Sequence, residues 1–594
     1  MKHFLYELPK QYETSIRLIH EALTEIRLNF NKSCSQYEAW QIVCYTLSAI
    51  LFIQWLTIIL TSDFSGMGKH IMRNLPFLWE YYEKKKEYTK EVMEQVLLST
   101  DEKKEFYRFL PDRGISANDI VKEARQYLDM AETKYIIKGK YYNFIYGQLD
   151  EEQKEVNKEL LDMYFNSDAL FPEMYPAIRK MEAEAIRIMC SMFHGGVNSC
   201  GAITTSVSES IFLACLCYKR RALEKNITEP VMILGVNAHA AFDKAAEILD
   251  IKIKRVPCDE YDGMEIGMMK RLISPEVCMI VVSAPNYISG SIDPVEKIAK
   301  IVSRNNIPLH VDASFGGFIL PFLEQCDYPP MNFDFSLTAV TSMTVDASKY
   351  GGALIGSSCI LYRDKRYMKY QCFGKQDWSC GVYTAATMSE NRGGFRISTI
   401  WSSLIYNGRY GYVEKAQKIL DLTRLLRIEL EKLDYIRIIG APLLCVVSFT
   451  SDKVDLYKVA EKMKGDGWYL NLLQKPKGIR FCISTNNDEK SIILQFVEDL
   501  DRTCQYIMDM SRPSTKEEDL TKEKTIFYGL STPIDCSELS DELSQIYLDS
   551  YYATPNLNNH LLPQRKTTRT LSIDGRKMSS IITQIVRSST QNTS

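Results

Sequence analysis

Although the chain of 594 residues contains 16 cysteines, no two of them have CxxC spacing. Only Cys215 and Cys217 lie close together, and the others are scattered. Structural zinc sites and disulfide frameworks use tighter, more regular spacings, so we expect no metal site and predict free thiols in a reducing compartment. The net charge of −3 gives no electrostatic footprint for nucleic acid, so no nucleic-acid partner is expected.

Charged residues are also absent from residues 39–62. Within this gap, residues 42–60 are almost entirely apolar, and about 20 helical residues cross a hydrocarbon core of about 30 Å. The run predicts a transmembrane helix over 40–62 and therefore a lipid partner, with a buried core helix as the alternative. The lysine and arginine residues on either side, including three lysines at 84–86, favour a cytosolic C-terminal side.

Beyond residue 230, short apolar runs alternate with helical segments of about ten residues. This alternation predicts right-handed crossovers and an α/β architecture, in which a mostly parallel sheet has helices on both faces. The predicted strands are 231–236, 251–256, 277–283, 307–312 and 339–345, and the predicted helices are 240–249, 263–273 and 294–303.

The pattern changes after residue 405. A long helix is predicted over 412–433, and strands at 436–439, 444–449 and 479–483 indicate a smaller α+β domain. The chain is thus predicted to comprise an N-terminal segment, a membrane helix, a helical neck with helices at 89–98 and 117–130, two folded domains, a helical segment and a disordered tail. Their bounds are 1–39, 40–62, 63–135, 136–405, 406–515, 516–560 and 561–594.

Three side chains near the ends of predicted strands carry the chemistry. His239 opens a helix after one strand, Asp312 ends a second, and Lys349 follows a third. Pyridoxal 5'-phosphate (PLP) needs a lysine amine for its Schiff base, a carboxylate for its pyridine nitrogen and a flat group against its ring. Each residue alone is a weak signal, but their order and shared placement predict a PLP site.

Nine short motifs add a family resemblance. They are Arg179-Lys-Met-Glu-Ala-Glu, Ser208-Glu-Ser-Ile-Phe-Leu-Ala-Cys, Ala238-His-Ala-Ala-Phe, Ile292-Asp-Pro, Pro308-Leu-His-Val-Asp-Ala, Lys349-Tyr-Gly, Gly356-Ser-Ser, Gly411-Tyr-Val-Glu and Leu548-Asp-Ser. With them, the chain from about residue 139 to residue 552 resembles the sphingosine-1-phosphate lyase family of fold-type-I PLP enzymes. The resemblance implies the fold-type-I PLP-dependent transferase fold with a seven-stranded sheet. It also implies a homodimer with shared active sites and a single-pass anchor in the endoplasmic-reticulum membrane, with the catalytic domain in the cytosol.

The resemblance also implies residue roles. Lys349 would carry PLP, Asp312 would hold the pyridine nitrogen, His239 would stack on the ring, and Tyr146 matches an active-site tyrosine. The reaction would be a retro-aldol cleavage of a phosphorylated long-chain base, giving a fatty aldehyde and phosphoethanolamine. The cofactor phosphate would lie against the start of a helix, the residue before Lys349 and a loop lent by a second subunit: Ser206, Val207, Ser208, Ser348, Gly356, Ser357 and Ser358.

The sequence departs from the family pattern at several site positions. Phe171, Ser289 and Ser348 stand where the family has histidine, Ile355 stands where it has lysine, and Ser206-Val-Ser replaces Gly-Gly-Thr. Histidine and lysine suit a phosphate dianion, so these changes affect phosphate binding in particular. Three functions therefore remain open: a lyase with a rearranged pocket, a PLP decarboxylase or lyase for a different amine, and a scaffold without catalysis.

Overall fold

The structure of the chain is a computed structural model that describes residues 38, 41, 47–48, 76–98, 106–107, 110–130, 149–484, 489–510, 524–527, 534–535 and 542–554. Most of the predicted membrane helix, Tyr146 and the predicted disordered tail lie outside these residues. Among the helices that are described, none is long and apolar enough to span a bilayer.

Thirteen α-helices and fifteen strands are described. The helices are α1 Pro76–Leu98, α2 Ala117–Met130, α3 Glu151–Met163, α4 Pro176–Met192, α5 Val207–Glu224, α6 Ala241–Leu249, α7 Ile266–Leu272, α8 Val295–Arg304, α9 Lys365–Met368, α10 Gly394–Glu431, α11 Leu456–Gly465, α12 Glu489–Met510 and α13 Leu543–Tyr551. The strands are β1 Cys200–Thr204, β2 Val231–Gly235, β3 Lys252–Val256, β4 Val277–Ser283, β5 Leu309–Asp312, β6 Val340–Asp346, β7 Ser358–Tyr362, β8 Phe373–Trp378, β9 Gly381–Ala385, β10 Arg437–Ile438, β11 Val446–Thr450, β12 Asn471–Gln474, β13 Lys477–Cys482, β14 Lys524–Thr525 and β15 Ile534–Asp535.

The central sheet has seven strands in the order β1-β7-β6-β5-β4-β2-β3. The five strands from β6 to β3 are parallel, whereas β7 is antiparallel to both of its neighbours. The predicted mostly parallel sheet is therefore confirmed, and the predicted strands agree with β2 to β6 within two residues. The antiparallel strands β1 and β7 were not predicted.

Both faces of the sheet are covered, as the alternation of strands and helices predicted. Successive residues of β2 enter different hydrophobic clusters: Ile233 joins one that includes residues of α4, α8 and α10, and Met232 joins one that includes residues of α5 and α6. Strand β4 is buried along its whole length. Burial on both faces explains why it reads as a continuous apolar run rather than an alternating one.

A four-stranded antiparallel sheet in the order β10-β11-β13-β12 forms the smaller part of the same compact unit. The loop after β4 lies against this sheet. Gly290 has φ +80°, and a Cβ there would lie 2.3 Å from the carbonyl oxygen of Val446, so glycine is required. The helix predicted over 412–433 begins earlier, as α10, and continues through the predicted domain boundary at residue 405 before kinking at Gly408.

A separate unit contains α1 and α13. These two helices pack together, and Lys86 and Glu542 form an ion pair of 3.2 Å. The helical segments predicted at 89–98 and 117–130 are contained in α1 and α2.

A titrating side chain in the core generates the first prediction. His310 on β5 is fully buried between the hydroxyls of Ser342 and Thr344, 2.8 and 3.2 Å from its ring nitrogens. Burial lowers the pKa of His310 from 6.5 to about 4. Between pH 6.5 and pH 4, His310 is therefore protonated in the unfolded chain and neutral in the folded chain. The contribution of neutral His310 to the free energy of unfolding is thus fully present above pH 6.5 and is lost as the pH falls towards 4.

Asp293 acts in the opposite direction, because burial raises its pKa from 3.8 to about 6. Comparison with His310→Gln isolates the histidine. We expect the difference in unfolding free energy between wild type and this variant to fall by about 3 kcal/mol between pH 7 and pH 4. Chemical denaturation followed by tryptophan fluorescence measures it, and a difference that does not change with pH would contradict the placement of His310.

Candidate active site

The three residues predicted to bind PLP come together at one edge of the central sheet. His239 follows β2, Asp312 ends β5 and Lys349 follows β6, and these strands are parallel, so their carboxyl ends lie on the same side. Burial lowers the pKa of His239; the charge of Asp312 opposes this shift, and the charges of Lys349 and Arg480 add to it. Asp312 and Lys349 thus both lie close enough to His239 to act on it electrostatically, and the lowered pKa favours a neutral His239 ring.

Lys349 is held by an acidic and an aromatic side chain. Its Nζ lies 3.4 Å from Asp346 Oδ2 and 3.9 Å from the centre of the Phe315 ring, and its side chain is only 13% exposed. These two contacts hold the side chain of Lys349 at the strand end.

Asp312 is oriented by its neighbour Ser314. Asp312 Oδ1 accepts a hydrogen bond from the Ser314 amide at 3.1 Å and another from the Ser314 hydroxyl, and the residue is buried. Both bonds fix the plane of the carboxylate through one oxygen, which leaves Oδ2 as the acceptor that a protonated pyridine nitrogen requires. The orientation of His239 is also set locally, since its Nδ1 accepts from the amide of Ala241 at 3.1 Å. In the neutral ring, the proton is therefore on Nε2.

Helix α5, which follows β1, starts with a side-chain cap. The hydroxyl of its N-cap, Ser206, accepts from the amide of Glu209 at 3.2 Å, and Glu209 Oε2 accepts from the amide and the hydroxyl of Thr205, each at 2.7 Å. The cap does not use the amides of Val207 and Ser208. These N–H groups remain available to an anion at the positive end of the helix.

The loop Gly356–Ser358 runs next to this helix start. Ser358 pairs with Thr204, and its hydroxyl lies 3.1 Å from that of Ser210 in α5. Gly356 has φ +85°, and Ser357 Oγ is buried without a hydrogen-bond partner among the described residues. A buried hydroxyl of this kind is rare unless it binds something else. Together with the open helix N-terminus, it fits the phosphate group of PLP.

Ser348 is differently engaged. Its amide and its hydroxyl donate to Asp346 Oδ1 at 3.0 and 2.7 Å. A hydroxyl has one proton to donate, and a phosphate dianion offers only acceptors. In this arrangement the Ser348 hydroxyl has no proton left for a phosphate, although Ser348 joins the two parts of the site through its amide, which lies 3.2 Å from the carbonyl oxygen of Ser357.

Four site residues were not singled out from the sequence: Asp346, Phe315, Tyr287 and Arg480. Arg480, on β13, is fully buried; its guanidinium lies 3.8 Å from the centre of the Tyr287 ring and its Nε donates to the Tyr287 carbonyl at 2.7 Å. The Tyr287 ring in turn meets His239 edge-on at 5.4 Å. The sequence contains one signal for Arg480, namely a charged residue inside the apolar strand predicted at 479–483.

The positions that depart from the family pattern supply no cation. Phe171 is 50% exposed and Ile355 is 85% exposed. Ser289 is buried, and its hydroxyl is hydrogen-bonded to Asp262 Oδ2 at 2.5 Å and to Asn286. Ser289 thus has a structural role in the loop that follows β4.

Two serines of the phosphate region provide a matched pair for the second prediction. Ser357→Ala removes the buried hydroxyl that has no described partner, and we expect it to weaken PLP binding about fivefold, equivalent to about 1 kcal/mol. Ser348→Ala removes a hydroxyl that is used by Asp346, and PLP affinity should change less than about twofold. Absorbance titration of the apoprotein measures both dissociation constants. A larger loss in Ser348→Ala than in Ser357→Ala would show that the roles are reversed.

Comparison with known proteins agrees with this geometry. A sequence model of the pyridoxal-dependent decarboxylase conserved domain matches residues 110–452. Sphingosine-1-phosphate lyase 1 of Rattus norvegicus is 33% identical over 554 residues, which cover 92% of this chain and 96% of the relative. The sphingosine-1-phosphate lyase of Saccharomyces cerevisiae is 30% identical over 482 residues, covering 80% and 81%.

The solved structure of a sphingosine-1-phosphate lyase from Burkholderia pseudomallei is also similar. It matches with a TM-score of 0.65 at 29% identity, covering 68% of this chain and 94% of that one. Glutamate decarboxylase of Lactobacillus brevis, 20% identical with a TM-score of 0.61, shares the fold. The match to the pyridoxal-dependent decarboxylase domain and the 33% identity to the rat lyase over 92% of this chain establish the family. The protein uses PLP and belongs to the sphingosine-1-phosphate lyase family of PLP-dependent enzymes.

Proposed function

We propose that the protein is a carbon–carbon lyase that cleaves phosphorylated sphingoid bases such as sphingosine-1-phosphate between carbons 2 and 3. The products are a fatty aldehyde and phosphoethanolamine. The observation that carries the proposal is the convergence of Lys349, Asp312 and His239 at the carboxyl ends of three parallel strands, in a chain similar to sphingosine-1-phosphate lyases over most of its length.

The chain's own residues have separate tasks in this reaction. Lys349 supplies the amine, and Asp346 and Phe315 keep it at the strand end until it reacts. Asp312 would pair with the protonated pyridine nitrogen, and the neutral ring of His239 would lie against one face of the cofactor. Bound PLP supplies an electron sink for the bond that breaks. A base must also take the proton of the 3-hydroxyl, and there are two candidates. One is Tyr146, which the family resemblance implies and which lies outside the described residues; the other is a phosphate oxygen of the cofactor.

The surroundings of this chemistry belong to the proposal as well. The apolar run at 42–60 supports a single-pass anchor in the endoplasmic-reticulum membrane, with the catalytic unit in the cytosol, where it would meet a lipid substrate at the bilayer surface. The family resemblance supports a homodimer with shared active sites.

The third prediction tests the lyase itself. Purified protein loaded with PLP should have a visible absorbance band that is absent in Lys349→Ala, because only the lysine amine can bind the cofactor covalently. Addition of sphingosine-1-phosphate should change the band and release a fatty aldehyde at a rate that falls at least about a thousandfold in Lys349→Ala. Aldehyde is measured by mass spectrometry, and His310→Gln serves as a control outside the cofactor contacts.

The other outcomes are informative. A band that does not respond to sphingosine-1-phosphate would contradict the substrate and retain a PLP enzyme for a different amine. No band in the wild type would contradict the enzyme altogether and favour a scaffold.

The fourth prediction tests the orientation in the membrane. Asn226-Ile-Thr is an N-glycosylation sequon on the catalytic unit, and Asn226 is exposed. If this unit lay in the lumen, Asn226 would therefore be accessible to glycosylation. We expect it to remain unmodified in cells, whereas only Asn31-Lys-Ser, before the apolar run, would meet the glycosylation machinery. The two sites are distinguished by expressing wild type, Asn31→Gln and Asn226→Gln and comparing the change in apparent mass of each protein on treatment with an endoglycosidase. Sugar on Asn226 would overturn the cytosolic orientation.

A further inference from the structure

A cation that the family pattern did not point to lies against the phosphate loop. A Cβ built on Gly356 would be 3.6 Å from Arg396 Cζ, 3.7 Å from Arg396 Nε and 3.3 Å from the carbonyl oxygen of Thr205. The guanidinium of Arg396, in the first turn of α10, is therefore next to both the loop and the residue that precedes the cap of α5. The absence of a side chain at Gly356 leaves this space open.

The charge of Arg396 is not neutralised within the described part of the chain. The nearby Arg392 forms an ion pair with Glu182 through both of its terminal nitrogens. No described carboxylate forms an ion pair with Arg396, whose guanidinium lies 5.5 Å from the centre of the Phe395 ring. Arg396 is also half-buried. A partly desolvated cation without a counter-charge binds an anion more strongly than an exposed one.

The phosphate region needs such a charge. It contains the carboxylate of Glu209, which lies in the first turn of α5 and accepts from Thr205 and from the amide of Met388 at 3.0 Å. This negative charge repels a phosphate dianion. The family's cations are absent, because Ser348 and Ile355 are neutral. The amides of α5 and the Ser357 hydroxyl donate hydrogen bonds, but they carry no full charge.

We propose that Arg396 pairs with the phosphate monoester held at the Gly356–Ser358 loop and so replaces the cations that this chain lacks. The inference rests on the proposed function in that the loop belongs to a PLP site. Two phosphate groups are candidates for this pairing, one on the cofactor and one on the substrate. The chemistry is the same for both: a planar guanidinium donates two hydrogen bonds to two phosphate oxygens.

The first experiment titrates the apoprotein with PLP and with pyridoxal, which lacks the phosphate. Arg396→Gln should raise the dissociation constant for PLP by ~10-fold or more and change that for pyridoxal less than about twofold. Arg396→Lys keeps the charge without the planar fork and should fall between wild type and Arg396→Gln. Arg424→Gln removes an exposed charge from the same helix beyond the kink at Gly408 and should match the wild type.

A second arm distinguishes the source of the phosphate. With PLP saturating, the KM for sphingosine-1-phosphate and the kcat are compared between wild type and Arg396→Gln. A rise in KM of ~10-fold at constant kcat, with PLP affinity unchanged, would assign the guanidinium to the substrate phosphate and still support the pairing. Equal losses for PLP and pyridoxal, or no change in any of these constants, would overturn it. If Arg396→Gln does not fold, Arg396→Lys carries the comparison: unchanged constants in that variant overturn the pairing, and a selective loss of PLP affinity supports it.

A third arm separates this inference from the proposed function. Should wild-type protein bind no PLP, its thermal unfolding is measured in inorganic phosphate and in chloride at equal ionic strength. A phosphate-specific rise in the melting temperature that is lost in Arg396→Gln keeps the phosphate site while the lyase fails. A rise that is the same in both proteins, or no rise in the wild type, overturns the inference.

Discussion

The parallel pairing of β2, β4, β5 and β6 is the constraint on which the rest of the site depends. Parallel strands end on the same side of a sheet, so residues that follow them meet even when they are far apart in sequence. His239, Asp312 and Lys349 lie near one another for this reason. Burial of the sheet on both faces keeps the register fixed, because a shift by one residue would move each side chain to the opposite face.

The same burial sets the electrostatics of the site. Two cations, Lys349 and Arg480, contact the Phe315 ring. Asp346 pairs with Lys349, and the charge of Asp312 is felt at His239, whose lowered pKa leaves it neutral. The positive and negative groups thus alternate around one aromatic cluster. Besides Lys349, the cations near this site lie on β13 and at the start of α10, rather than at the four positions, 171, 289, 348 and 355, where the family pattern has histidine or lysine.

Much of this arrangement could be predicted from the sequence. The buried strands β4 and β5 read directly as apolar runs, and the strand-end placement of His239, Asp312 and Lys349 follows from them. The antiparallel strands β1 and β7 do not follow the strand–helix–strand alternation from which the parallel strands were predicted. Strand β1 directly precedes the cap of α5, and no helix separates β7 from β6. The small strand β12 was missed as well.

Side-chain partners were the harder part. The sequence placed Ser348 next to the lysine, but only the fold shows that its hydroxyl is used by Asp346. Arg480 and Arg396 reach the site from β13 and α10, long after the strands that define it, and contacts between distant segments leave no periodic pattern in the sequence. A basic residue in an apolar strand and an arginine at a helix start each have many ordinary explanations, so their roles became visible only through their neighbours.

The central claim is that Lys349 carries PLP in a working site, and chemical trapping tests it most directly. Reduction of the PLP-loaded protein with borohydride makes the lysine–cofactor bond permanent, and peptide mapping by mass spectrometry then locates the label. We expect the label on Lys349, with its yield reduced when excess sphingosine-1-phosphate is added before the reductant, because the substrate amine takes the place of the lysine. A label on other lysines, or no label at all, would contradict the assignment of this residue and of the site built around it.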